Sequence, residues 1–434
     1  MAKSPRSHDQ LENRGYLGIM SAQNLKQRHT AGSTSPPQPQ TNTIENPPDD
    51  YHPAGEVKHG EIVQVIRLLA VLTYFGSCAF TIVATQILGS PLYFINKDLY
   101  YAYMSLTKRS FGIVIACTTQ WWSPTTVRIS GDASVAGELR KTADGRLECN
   151  FPNRLVMIAN HQESLKYLPI VGQGMMFYGF IFMSRKMAKD QARLAHRLNK
   201  LKERHSGPLS GTEGYDPMWL LLFPEGTNSS QNGRNKSAQW AEKIGVKDTE
   251  HMLLPRSTGT FFCLNELKGT VDYVYDCTVA YEGVPRGKFG AKYFTLRSTF
   301  FQGRPPKSVN MYWRRFAIAD MPLDNAEEFD RWIRERWYEK DALMEQYITT
   351  GRFPELEQST NGHPTKDDVK AKFIETEVRT SHWWETFRVF QILAAFALVA
   401  NLLARVWNVI FYGNMQGYES LSVIRNGSEG VSYN

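Results

Sequence analysis

Cysteine is scarce and scattered. The five residues Cys78, Cys117, Cys149, Cys263 and Cys277 form no C-x-x-C pair. That spacing fits neither a disulfide framework nor a zinc site, and leaves free thiols on a reducing side as the default. Internal repeats are missing as well. The chain is basic, with a net charge of +7 and a pI near 9.0, yet it carries no nucleic-acid motif. The charge therefore favours anionic lipid head groups or phosphorylated substrates, and no nucleic-acid partner is expected. Residues 1–55 have little that could form a core: a stretch such as "STSPPQPQTNTIENPPDD" is expected to be a disordered tail.

The most telling absence is charge. Residues 68–96, "LLAVLTYFGSCAFTIVATQILGSPLYFIN", contain no ionisable acid or base except tyrosine and cysteine. A bilayer core takes about 20 apolar residues. The stretch starts too far in, and runs too long, for a secretory signal peptide. Gly89-Ser90-Pro91 breaks it near its end. A second apolar stretch, "VFQILAAFALVANLLA" (389–404), lies between Arg388 and Arg405. Trp383, Trp384 and Trp407 flank it like an aromatic belt. Spanning, re-entrant and interfacial placements all fit these segments, and basic residues at every end leave orientation open.

Between them the pattern changes. The runs "RLVMIAN", "MMFYGFIFMS", "MWLLLFPEG", "HMLLPRS" and "DYVYDCTVAY" are short, apolar and bounded by turn signals, as strands are. Helical patterns separate them, among them "KDQARLAHRLNKLKERH" with Leu194, Leu198 and Leu201 on one face. The alternation predicts an α/β fold, a central mixed sheet flanked by helices, with membrane-embedded helices at both ends. The expected organisation is a tail at 1–55 and membrane-embedded helices at 56–123. An α/β domain follows at 124–320, then a helical extension and linker at 321–381. A membrane segment at 382–415 and a tail at 416–434 complete it.

Three of these strand-like runs end in chemistry. His161 closes the first, Ser184-Arg185 the second and Glu225-Gly226-Thr227 the third. Strand ends on one edge of an α/β sheet are where ligands bind. A base, a guanidinium fork for a phosphate and a polar loop would suit acyl or phosphoryl transfer to a hydroxyl. Each residue has a plainer reading: a structural histidine, a helix-capping arginine, an ordinary strand–turn–helix junction.

"NH" after an apolar strand, "GFIFMSR", "LLLFPEGTNSS" and "HMLLPRSTGTFFCL", in that order behind a membrane segment, resemble the lysophospholipid (1-acylglycerol-3-phosphate) acyltransferases. "VDYVYDCTVAYEGVPRGKFG" and the tail after it are similar to the fungal branch with an extended C-terminal region. The resemblance covers about residues 60–415. It implies transfer of a fatty acyl group from acyl-CoA to a free hydroxyl of a lysophospholipid at a membrane, the endoplasmic reticulum in this family. It implies no metal and no cofactor, acyl-CoA being a co-substrate. By position His161 is the general base, Ser184 and Arg185 contact the acceptor phosphate, and Glu225, Gly226 and Thr227 line the same site. Pro255 falls on the block associated with the acyl chain or substrate entry.

One departure stands out. The family places an aspartate five positions after the histidine, and here that position is Lys166. The flanks show why. "ANHQ" resembles the start of the first block, but "ESLKYLP" resembles a segment that follows much later in relatives, beyond an aromatic-rich helix and a strand. An internal deletion between Gln162 and Glu163 accounts for both, through a skipped exon or a misplaced intron boundary. Glu163, two positions from His161, would point to another face of a helix. The expected consequence is an impaired enzyme; the alternative is a catalytically inactive membrane protein that keeps the fold to bind lipid or to scaffold. A soluble basic binding protein does not fit residues 68–96.

Overall fold

The structure, a computed structural model, describes residues 48, 50–142, 146–160, 187–202, 215, 217–355 and 373–411. Six strands make the central sheet: β1 (Thr126–Gly131), β4 (Arg154–Ala159), β5 (Met218–Leu222), β6 (Tyr273–Tyr281), β7 (Ser308–Ala317) and β8 (Ile374–Glu377). Their spatial order is β5-β4-β6-β7-β1-β8. Strands β5, β4 and β6 run parallel, β7 is antiparallel to β6, and β8 is antiparallel to β1. A small hairpin, β2 (Leu139–Lys141) with β3 (Leu147–Cys149), forms a separate two-stranded sheet whose Leu139 joins the core with Leu155 and Tyr275. The α/β class and the mixed sheet are as the sequence implied.

Side chains alternate across a strand, and β4 shows what that achieves here. Val156 and Ile158 enter one core with Leu194, Leu198, Phe329 and Trp337. Leu155 and Ala159 enter the other with Tyr275, Trp313 and Ile374. The first core is covered by α3 (Met187–Leu201), α5 (Ser257–Leu267) and α6 (Ala326–Thr350). Helix α4 (Gln231–Ile244) follows β5. Helix α6 starts where Asn325 accepts hydrogen bonds from the Glu327 and Glu328 amides, and ends at Gly351 in the left-handed region (φ 75°).

Two helical stretches, Glu61–Ile95 and Trp383–Ile410, are long and apolar enough to cross a membrane. Within the first, α1 (Glu61–Gly89) ends at the expected break. A methyl at Gly89 would sit 2.0 Å from the Tyr103 ring, so α1 and α2 (Lys97–Trp122) meet there at backbone distance. Arg67 on α1 donates to Trp122 O (2.8 Å) and Phe300 O (3.0 Å), tying the hairpin to the α/β domain. The second stretch includes α7 (Gln391–Phe411) and joins the first: Val389 packs with Cys78, Ile82 and Val114.

Three segments differ from the sequence reading. "HMLLPRS" is not a strand: Met252, Leu253, Leu254 and Pro255 form a buried loop whose Leu254 amide donates to Ser237 Oγ (2.9 Å). The polar tail gives way before residue 55, because Tyr51 and His52 set their rings edge-on against Tyr293. The stretch after α6, read as linker, contains β8, which buries Ile374 and turns Glu375 to Arg128 (2.6 Å).

Candidate active site

The parallel strands β4, β5 and β6 present their carboxyl ends along one edge. At that edge Asn160, 5% exposed, continues β4 with its side chain. Its Nδ2 donates to Val279 O (2.9 Å) and its Oδ1 accepts from the Val279 amide (2.8 Å). The amide thus pairs as a peptide would and fixes where the chain leaves the sheet. Replacing Asn160 with alanine leaves both half-buried Val279 backbone groups without these partners. The expected loss is about 1–3 kcal/mol per group, read by denaturant titration. The next residue, His161, lies outside the described residues, as do Ser184 and Arg185.

Glu225, Gly226, Thr227 and Pro255 are described, and the structure brings them together. After β5 the chain turns at Pro224; Gly226, in the left-handed region (φ 67°), donates its amide to Phe223 O (3.0 Å). That conformation costs a residue with a Cβ about 1–2 kcal/mol. Glu225 is 4% exposed. The amide of Arg256 donates to Pro224 O (2.7 Å), which sets the Pro255-Arg256 block directly against this turn. Thr227 Oγ1 donates weakly to Asn228 Oδ1 (3.4 Å), and Ser230 caps α4 by accepting from Gly233 N (3.1 Å).

Two further charged residues belong to this domain, Arg256 in the Pro255 block and Asp190 on α3. Arg256 lays its guanidinium 4.1 Å from the centre of the Trp240 ring, and burial lowers its pKa. Its Cγ lies 3.8 Å from where a Gly226 side chain would begin. Asp190 is buried in the first turn of α3. Arg154 Nη2 donates to Leu201 O (2.9 Å), pinning the far end of α3 beside the start of β4. Asp190 stands at the opposite end of α3 from Leu201. Asp190 and Glu225 are the two carboxylates that the sequence offers as partners approaching His161 from elsewhere.

A cavity of about 170 Å³ opens at the same edge, between the end of β6 and α6. Its wall is held by Glu345. Arg286 grips both Glu345 oxygens, one at 2.7 Å, and His251 Nε2 lies 2.8 Å from Oε2. The Arg286 hydrogen bonds hold the Glu345 carboxyl down at about 2, so it stays ionised. Glu250, His251 and Glu345 place ligand atoms within 4.8 Å, as a metal site would. The Arg286 guanidinium on Glu345 argues against a cation there.

Residues 145–282 match the acyltransferase family, and residues 299–377 match the acyltransferase C-terminus. The chain is 32% identical over 368 residues to an uncharacterised acyltransferase of Schizosaccharomyces pombe, covering 79% of this chain and 97% of that one. The chain belongs to the lysophospholipid acyltransferase family. A second relative of this acyltransferase is the 2-acyl-1-lysophosphatidylinositol acyltransferase of Saccharomyces cerevisiae, 33% identical over 370 residues, 72% of this chain and 92% of that one. A third is lysocardiolipin acyltransferase 1 of Gallus gallus, 31% identical over 203 residues, 46% of this chain and 48% of that one. No solved structure matches. The matched acyltransferase region takes in β4, the Glu225 turn, the Pro255 block and β6; the C-terminal match takes in β7, α6 and β8.

Proposed function

We propose that the locus encodes an integral membrane enzyme, at the endoplasmic reticulum, that moves a fatty acyl group from acyl-CoA to a lysophospholipid hydroxyl. Lysophosphatidylinositol and lysophosphatidic acid are the acceptor types proposed. The observation that carries this reading is the join between Pro224 and Arg256, which sets two of the family's blocks side by side at the carboxyl edge of β5. In the proposed reaction His161 takes the proton of the acceptor hydroxyl while its oxygen attacks the thioester carbonyl. The ester C–O bond forms, the C–S bond breaks, and the proton passes to the departing sulfur. A thioester is already activated, so neither a metal nor a covalent enzyme intermediate is needed.

We further propose that this exact chain is impaired, because the segment bearing the aspartate partner of His161 is missing. Two observations support a missing segment. The match to the S. pombe relative runs over 368 positions, more than the 79% of 434 residues that this chain contributes; the relative carries residues without a counterpart here. Strand β5, at the edge of the described sheet, also leaves Trp219, Leu221 and Phe223 on one face 54, 48 and 37% exposed. Large apolar side chains alternating along a strand ordinarily lie under another layer. The test is transfer of labelled acyl groups from acyl-CoA to a panel of lysophospholipids, by a chain with the relative's segment inserted after Gln162. Labelled phospholipid is the expected product; none from any acceptor overturns the reading. Loss of the aspartate also favours a second reading, a lipid-binding or scaffolding membrane protein without activity.

A further inference from the structure

The cavity between β6 and α6 plays no part in the acyl transfer just described. Its place in the fold is specific. Val279, to which Asn160 is bonded, and Ser229, in the polar turn that follows Glu225, both line it. It therefore opens beside the edge where the acceptor hydroxyl would react. Its far wall comes from the C-terminal module: Met344, Tyr347 and Ile348 of α6.

The lining states what would fit. Ser229, Gln231, Glu250, His251 and Lys288 offer donors and acceptors of both signs around an opening with apolar sides. Hydroxyls both donate and accept, so a polyol matches such a mixture better than a bare phosphate, which asks for donors alone. A quaternary ammonium asks for open aromatic faces. Of the three rings that line the cavity, Tyr281 packs T-shaped with Phe294 and Tyr347 lies 4.9 Å from Phe353, which leaves Phe289 where an ammonium cage would take several. The wall is also built rigidly. Asp341 accepts from the Glu250 and His251 amides (2.8 and 2.7 Å), one turn from Glu345 with its hold on Arg286 and His251. Helix α6 thereby fixes two loops that face each other across the opening, as a selective site requires.

We propose that this cavity holds the polyhydroxylated phosphate head group of the acceptor, with Lys288 and Gln231 contacting it and Glu345 positioning its wall. The assignment rests on the acyltransferase reading above, and it gives the C-terminal module the task of choosing the head group.

The test is a calorimetric titration of the full chain, in nonionic detergent, with three soluble head groups: glycerophosphoinositol, glycerol 3-phosphate and glycerophosphocholine. Binding does not depend on the missing aspartate. The expected result is saturable binding with preference for glycerophosphoinositol, weakened about tenfold or more by Lys288→Ala, the size expected for one hydrogen bond to a charged group. Gln231→Ala is expected to narrow the preference. Both residues are exposed, so these variants should fold, which near-ultraviolet circular dichroism checks. Equal binding of the three head groups, no binding, or indifference to both variants overturns the proposal. Acyl transfer by the restored chain, measured separately, stands or falls on its own and keeps the two readings distinct.

Discussion

The purified 434-residue chain is expected to transfer acyl groups about 10⁴-fold more slowly than a chain with the proposed segment restored. A carboxylate on one ring nitrogen fixes the tautomer of a general-base histidine and stabilises the imidazolium formed when the proton arrives. A chain without that aspartate forgoes both contributions. Two carboxylates are buried, Asp190 in the first turn of α3 and Glu225 in the turn after β5. They supply the way this expectation could fail. A rate for the 434-residue chain within tenfold of the restored one would mean that another group, these being the first to replace, already serves His161.

The second large effect lies behind the site. Lys340 and Asp276 are both fully buried, and Lys340 Nζ donates to Asp276 Oδ1 and to Cys277 O (2.8 Å). Arg314 donates to Asp276 Oδ2 (2.6 and 3.1 Å) and to Glu339 (2.6 Å). Burial pushes the Asp276 carboxyl up, but the two cations outweigh it and hold it below the usual range. Replacing Lys340 with methionine takes away one of two cations from a carboxylate that water cannot reach. The expected loss is about 3–5 kcal/mol, the cost of breaking a buried pair. Thermal unfolding followed by tryptophan fluorescence reads it. The double variant Asp276→Leu/Lys340→Met should recover most of it, since Arg314 keeps Glu339. A single variant within about 1 kcal/mol of the parent would show that the pair is not what anchors α6. The anchor bears on function because Ala159, the last residue of β4, pairs with Cys277.

The sequence made some of this visible and hid the rest for identifiable reasons. The strand before His161 was legible because five apolar residues in six, bounded by Asn153 and Asn160, leave few alternatives. The turn at Glu225-Gly226-Thr227 was legible because glycine marks a positive φ. The link between Asn160 and Val279 was not, since 119 residues separate them and nothing in either stretch pairs one with the other. Lys340 misled in a different way. Among the many charges of "RERWYEKDALMEQ" it reads as one more solvated lysine, and only the fold supplies Asp276 across 64 residues. Strand β8 escaped notice because four residues with two glutamates make a poor strand signal. Its partner Arg128 lies far back in β1. "HMLLPRS" has a strand's composition, but its backbone is held by Ser237 and Pro224 instead of a neighbouring strand.

An acyltransferase locus whose histidine partner is missing from this chain is a proposal about the transcript as much as about the protein. Amplifying the mature transcript between codons 140 and 200 from cDNA, and sequencing it, tests that most directly. The expected product is longer than this sequence implies, with an in-frame insertion after Gln162 that places an aspartate five positions beyond His161. A product of the length implied here, joining Gln162 to Glu163, would contradict it and make the lipid-binding protein without activity the reading to pursue.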